Sequence, residues 1–70
     1  MADLVGQIME YEMGTLSDQG TVELFSELVK TGMAWNLQGA YGRAAKALIE
    51  ADIITPDGEI TEHAHHLLRF

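Results

Sequence analysis

The residue types best suited to binding a metal ion lie close together near the end of the chain, at Glu62, His63, His65 and His66. Glu62 and His66 are four residues apart and would share one face of a helix, a spacing that suits two ligands of one ion. A metal site also needs a third ligand and groups that orient the ligands, and nothing elsewhere in the sequence supplies an obvious third ligand. We therefore predict no metal site. We interpret the histidines as solvent-exposed groups whose protonation below about pH 6.5 offsets nearby negative charge.

The sequence lacks the patterns of known catalytic sites. It has no cysteine nucleophile, no serine in a strand-turn-helix elbow and no glycine-rich phosphate loop. Two pairs of carboxylates, Glu10 with Glu12 and Glu23 with Glu27, have spacings that are ordinary on the surface of a helix. We predict a protein that is not an enzyme and has neither catalytic residues nor a cofactor.

The charge of the chain is strongly acidic and unevenly distributed. Eleven acids and four bases in 70 residues give a net charge of −7, and residues 1–29 contain six acids but no lysine or arginine. A field of this sign repels phosphate backbones and attracts basic protein surfaces. It predicts a protein partner rather than a nucleic acid, with solubility as the alternative role of the acidic surface.

Three side chains of the types that most often carry binding energy at protein interfaces lie close together in sequence: Trp35, Tyr41 and Arg43. The alternative interpretation places Trp35 and Tyr41 in the core, because so small a chain has few other large side chains. Arg43 is then either paired with an acid or available to a partner. The predicted partner-binding residues are Glu23, Glu27, Trp35, Tyr41, Arg43 and Lys46.

The helical spacing of apolar residues predicts two helices in the first half of the chain, and these helices carry most of its acids. The first helix follows Asp3 as its N-cap and ends at Gly14. The second helix is capped by Ser17 and ends at Gly32. Both elements would present carboxylates on their outer faces.

A third helix is predicted from Asn36, as its N-cap, to about Ala51, and it would position the candidate binding residues that follow Trp35. Gly39 and Gly42 fall in its first turns, where each costs about 1 kcal/mol relative to alanine. We interpret this choice as close packing by another helix. The alternative is close approach by a partner.

Residues 53–61 are predicted to form a small β-hairpin. Two β-branched isoleucines lead into residues 55–58, which fit a type I turn, and residues 59–61 return as the second strand. Thr61 would then cap a final helical turn. The residues of this turn expected to pack on the core are Ala64, Leu67 and Leu68.

These elements predict a mainly α fold, a compact three-helix domain followed by a short β-hairpin and a C-terminal helical turn. Residues 1–70 would form one domain, with a less ordered tail from about residue 62 to 70. The same order matches the outline of a winged-helix DNA-binding domain, in which Arg43 and Lys46 would enter the major groove. Four bases supply too little positive charge for DNA, so a winged-helix-like outline would serve protein binding here.

The most specific segment of the chain is AWNLQGAYGR at residues 34–43, followed by ALIEA at residues 47–51. With them, residues 8–54 resemble a family of small acidic proteins encoded by bacteriophages. The resemblance implies an infected bacterial cytoplasm as the setting and implies no particular chemistry. Residues 11–28 also resemble the first helices of zinc-binding anti-sigma domains, which clasp a transcription factor, but the chain lacks the cysteines that bind their zinc.

We therefore expect a small, acidic, non-catalytic accessory protein that binds and modulates or inhibits a host protein. The absence of cysteine, of a long apolar run and of a basic leader leads us to expect a cytoplasmic protein with no membrane segment. One alternative is a dimeric winged-helix-like DNA-binding transcriptional regulator. A second is a self-assembling structural protein, since so short a chain gains stability by burying apolar surface against another copy.

Overall fold

Residues 4–68, which a computed structural model describes, form four α-helices and one short 3₁₀ helix. The helices are α1 (Leu4–Met13), α2 (Asp18–Thr31), α3 (Gly39–Glu50) and α4 (Glu62–Leu68). The 3₁₀ helix (Met33–Trp35) joins α2 to α3. The chain is thus mainly helical, as the spacing of its apolar residues indicates.

The turn between α1 and α2 is fixed by local signals. Gly14 adopts the left-handed conformation, with a φ of 77°, directly after the last residue of α1. Ser17 has an extended backbone, and its hydroxyl accepts a hydrogen bond from the Gly20 amide at 3.0 Å. This bond satisfies one of the free N–H groups at the start of α2. The predicted stop at Gly14 and the predicted cap at Ser17 are both confirmed, whereas Asp3 lies outside the described residues.

α2 is the central helix of the molecule. Its buried residues are Val22, Leu24, Phe25, Ser26, Leu28 and Val29. α1 and the 3₁₀ helix both pack against α2. Glu23 and Glu27 remain on the exposed side of this helix.

The link between α2 and α3 differs from the prediction at Asn36. The side-chain amide of Asn36 donates to the carbonyl of Gly32 at 3.2 Å, and Asn36 ends the 3₁₀ helix instead of starting α3. α3 begins at Gly39 after Gln38, whose side chain makes no capping hydrogen bond. Because the extra 3₁₀ turn uses the Asn36 side chain, the third helix starts later than predicted.

Gly42 marks the close approach of the 3₁₀ helix to α3. A β-carbon at Gly42 would lie 3.6 Å from the carbonyl oxygen of Ala34 and 3.8 Å from Cε3 of Trp35. These are ordinary van der Waals distances, so a β-carbon would also fit here and the contact does not require glycine. Close packing of these two elements therefore does not by itself explain the glycine at this position.

The predicted β-hairpin at residues 53–61 is wrong. No β-strand occurs in the part of the chain that the structure describes, and this segment forms a loop with an isolated antiparallel bridge between Ile54 and Ile60. The turn itself does form, because the Gly58 amide donates to the Thr55 carbonyl at 2.9 Å. One bridge is too little pairing for two strands, and the winged-helix-like outline, which needs a hairpin as its wing, is wrong as well.

The returning segment cannot extend the pairing because it enters α4 at once. The hydroxyl of Thr61 accepts a hydrogen bond from the Ala64 amide at 3.1 Å, which caps α4 as predicted. Ala64 is fully buried and Leu68 partly buried, but Leu67 is exposed, contrary to the expectation that it packs on the core.

Gly58 docks the loop onto α2 in place of sheet pairing. Its φ of 92° is left-handed, and its carbonyl accepts a hydrogen bond from the buried Ser26 hydroxyl. A β-carbon here would lie 2.7 Å from the carbonyl oxygen of Ser26 and 2.9 Å from the amide nitrogen of Lys30. Only glycine fits this contact, because the nearest atoms belong largely to the backbone of α2.

Candidate functional site

Tyr41 lies in the core and not on the surface. It is 6% exposed, and its ring centroid lies 5.7 Å from that of Tyr11 and 6.1 Å from that of Phe25. Its hydroxyl donates to a carboxylate oxygen of Glu12 at 2.6 Å. Tyr41 therefore packs in the core and does not present its ring to a partner.

The surroundings of Tyr41 raise the pKa of its phenol to about 12. Burial is the largest cause, since it disfavours the charged phenolate. The hydrogen bond to Glu12 and the negative charge of Glu12 act in the same direction, and Tyr11 adds to them. At neutral pH the hydroxyl is consequently protonated and serves as the donor that ties α3 to α1.

Trp35, the other aromatic candidate, is 52% exposed at the end of the 3₁₀ helix. One edge of its indole lies against α3 at Gly42, and the 3₁₀ helix as a whole contacts both α2 and α3. The ring is thus anchored along part of its surface and open to solvent along the rest. This is the geometry of a residue that can contact a partner without a change of backbone.

Arg43 and Lys46 are exposed on α3. The Arg43 side chain bends back over the start of the helix, where its Nη1 would lie 3.1 Å from a β-carbon at Gly39. Residues three positions apart are neighbours on a helix surface, so the two cations share one side of α3. They lie eight and eleven residues after Trp35 in the chain and form with it the basic and aromatic part of the predicted site.

Glu23 and Glu27 are exposed on α2 and lie one helical turn apart. None of the hydrogen bonds or ring contacts among residues 4–68 joins them to Trp35, Arg43 or Lys46. The predicted site residues therefore fall into an acidic pair on α2 and a separate group on the 3₁₀ helix and α3.

A second exposed apolar feature, on α1, was missed by the sequence reasoning. Three large side chains there are exposed: Val5, Met9 and Met13. We refer to these three residues as the outer row. The signal for this row is the regular spacing of its residues, four positions apart.

A shallow apolar groove with a volume of about 230 Å³ lies between the start of α2, the end of α3 and α4. It is lined by Asp18, Thr21, Val22, Leu48, Ile53, Leu67 and Leu68. Of these described lining residues only Asp18 and Thr21 are polar. The groove lacks the convergent polar groups that fix the orientation of a small-molecule ligand.

Within residues 4–68, the structure also bears on metal binding and on membrane spanning. Glu62, His63, His65 and His66 are exposed on α4, and no three His, Cys, Asp or Glu side chains in this range come together as a metal-binding group. None of the helices in the same range has the length and apolarity needed to cross a lipid bilayer.

Comparison with known proteins assigns the chain to a family. No curated protein and no solved structure matches it. A family profile described as "Domain of unknown function (DUF7417)" matches residues 1–69, which is nearly the whole chain. This small all-helical protein therefore belongs to the DUF7417 family.

Proposed function

We propose that this protein is a non-catalytic accessory protein that binds and modulates a host protein in a bacteriophage-infected bacterium. The exposure of Trp35 carries the proposal. A chain of 70 residues with one tryptophan would gain stability by burying it, yet the fold leaves about half of it in solvent. Tryptophan is among the residue types most enriched at the energetic centres of protein interfaces.

The bacteriophage setting rests on the resemblance of residues 8–54 and stays a prediction. What supports protein binding is independent of that setting. Trp35 is held on a short helix between α2 and α3, so little conformational entropy is lost when a partner covers it. Arg43 and Lys46 provide hydrogen-bond donors and positive charge on the adjoining helix.

The net charge of −7 supports a partner with a basic surface. Glu23 and Glu27 present two carboxylates on α2, which contributes more buried residues than any other described helix. Exposed charges of this kind accelerate encounter with an oppositely charged protein, and added salt screens the effect. We therefore expect binding to weaken as ionic strength rises.

The test is capture of the partner from bacterial lysate with the tagged full-length chain, compared among four forms. These are the wild type, Trp35→Ala, the double variant Glu23→Lys with Glu27→Lys, and Leu67→Ala as the matched control. Leu67 is another exposed apolar residue, 58% exposed on α4, so its removal controls for general surface apolarity. We expect the wild type and the control to capture one dominant protein.

Trp35→Ala should reduce that capture about tenfold or more, because a central aromatic contact is worth at least 1.4 kcal/mol, or roughly one decade in affinity. The charge-reversed variant should also capture less partner than the wild type, and this loss should be larger at low salt than at high salt. Far-UV circular dichroism should show unchanged helix content in all four forms. Equal capture by Trp35→Ala would refute the proposal, and an empty capture beside a discrete oligomer would favour self-assembly.

A further inference from the structure

α1 carries apolar residues on two separate faces. The inner residues, partly buried against the core, are Leu4, Ile8 and Tyr11. The outer row is exposed by 68% at Val5, 57% at Met9 and 70% at Met13. Residues four positions apart follow one another along a helix, so the outer row is a continuous apolar strip along the whole of α1.

Two carboxylates border the outer row. At about 100° per residue, Glu12 lies on one side of the row and Glu10 on the other. Both are exposed, and Glu12 is also the acceptor of the Tyr41 hydroxyl, which limits its freedom. No lysine or arginine precedes Lys30 in the chain, so these two carboxylates are the only fully charged side chains on α1 itself.

A second copy of this chain fits the outer row poorly. Two copies paired along α1 would bring Glu10 and Glu12 of one copy towards those of the other, and like charges at such distances repel.

We propose that the outer row of α1 docks a basic amphipathic helix of the partner protein. This inference rests on the proposed function, since it takes a bound protein as given, and it adds the chemistry of the bound segment. Apolar residues of the partner helix lie on Val5, Met9 and Met13, and its lysines or arginines face Glu10 and Glu12. Unbranched methionines adapt to side chains of different shape, and the acidic border excludes acidic helices.

A designed peptide provides the probe. It has about 18 residues, long enough to form a helix, with one leucine face bordered on both sides by lysines. The full-length chain is labelled with ¹³C at its methionine methyl groups and titrated with the peptide. The Met9 and Met13 signals should shift, while that of Met33, partly buried in the 3₁₀ helix, should not. The same peptide with glutamate in place of lysine should not bind.

Variants of the chain then link the shifts to affinity. The double variant Met9→Gln with Met13→Gln should weaken binding of the lysine peptide about tenfold or more, since it removes two apolar contacts. Leu67→Gln makes the same kind of change on α4 and should leave the affinity unaltered. Glu10→Gln should lower both the affinity and its dependence on salt. Both methionines are exposed, so the fold should survive, which circular dichroism verifies.

Three results would overturn the inference. They are absence of shifts at Met9 and Met13, equal affinity for the glutamate peptide, and a dimer that dissociates in the double methionine variant. The proposed function can fail separately. If partner capture needs Trp35 but not Met9 and Met13, the proposed function stands and docking on α1 is rejected. If the peptide binds at α1 but no partner is captured from lysate, the binding site on α1 stands and the proposed function is rejected.

Discussion

Tyr41 connects three helices through one side chain. Its ring belongs to an aromatic cluster in which Tyr11 and Phe25 meet edge to face with centroids 5.3 Å apart. Its hydroxyl reaches Glu12 at the edge of that cluster. α1, α2 and α3 are therefore joined by both apolar contact and a hydrogen bond to a charged acceptor, the stronger class of such bonds.

The raised pKa of Tyr41 predicts a specific loss of stability in alkali. The phenol titrates at 10.0 in its ordinary state and at about 12 in the folded chain. Its contribution is therefore complete below pH 10 and is lost as the pH rises from there to about 12. Urea unfolding of the wild type and of Tyr41→Phe at several pH values checks this window.

At neutral pH, Tyr41→Phe should be less stable by about 1.5 kcal/mol, the lower end of the range for a hydrogen bond to a charged group, because Glu12 is exposed and regains water. The difference between the two forms should shrink between pH 10 and about 12. A difference that is constant across that range would show that the phenol is not held in its protonated form by the fold.

At the scale of elements, the loop before α4 is held by α2 and not by a sheet. Gly58 supplies the contact, with its carbonyl bonded to Ser26 and no room for a β-carbon. Gly14 makes a useful comparison, because its φ of 77° is also left-handed but nothing lies within 4 Å of a β-carbon placed there. The two left-handed glycines differ in whether a neighbouring element occupies the space that a β-carbon would need.

Alanine at the two positions should separate backbone strain from steric conflict. Gly14→Ala should cost about 1 kcal/mol, the strain of a left-handed alanine. Gly58→Ala should cost about 3 kcal/mol or more, because the same strain is joined by overlap with the α2 backbone. Thermal unfolding followed by circular dichroism measures both. Equal losses would mean that the loop moves away from α2 at little cost.

At the scale of the whole molecule, charge opposes folding. Eleven acids and four bases lie on a chain of 7.7 kDa, and folding brings the carboxylates closer together. Small domains also have a thin margin of stability, since they bury a smaller share of their surface than larger ones. Screening of these charges by salt should therefore raise the stability of the folded protein measurably.

We expect the midpoint of thermal unfolding to rise by about 4 °C between low salt and about 0.3 M sodium chloride, as repulsion is screened. The double variant Glu23→Gln with Glu27→Gln, which changes the net charge from −7 to −5, should show a smaller rise. A midpoint that is unchanged or falls with salt would indicate that the acids do not repel one another in the folded state.

The sequence by itself determined the positions of the first helices and the sign of the net charge. Ser17 caps α2, and Gly14 and Gly32 end α1 and α2 in the left-handed conformation. Such signals act within one helical turn, so they can be recognised without knowledge of the fold. Net charge is likewise a property of composition, and it remains the basis for expecting a basic partner.

Only the tertiary structure decided which apolar residues are buried. Trp35 and Tyr41 were equally suited to core or surface, and the crossing of α1, α2 and α3 buried Tyr41 and left Trp35 exposed. On α1, contact with the core buries Leu4, Ile8 and Tyr11 in part and leaves the outer row exposed. In residues 53–61, the turn was local and formed as predicted, but its docking on α2 through Gly58 replaced the hairpin. Contacts between distant parts of the chain set these outcomes, and no local pattern encodes them.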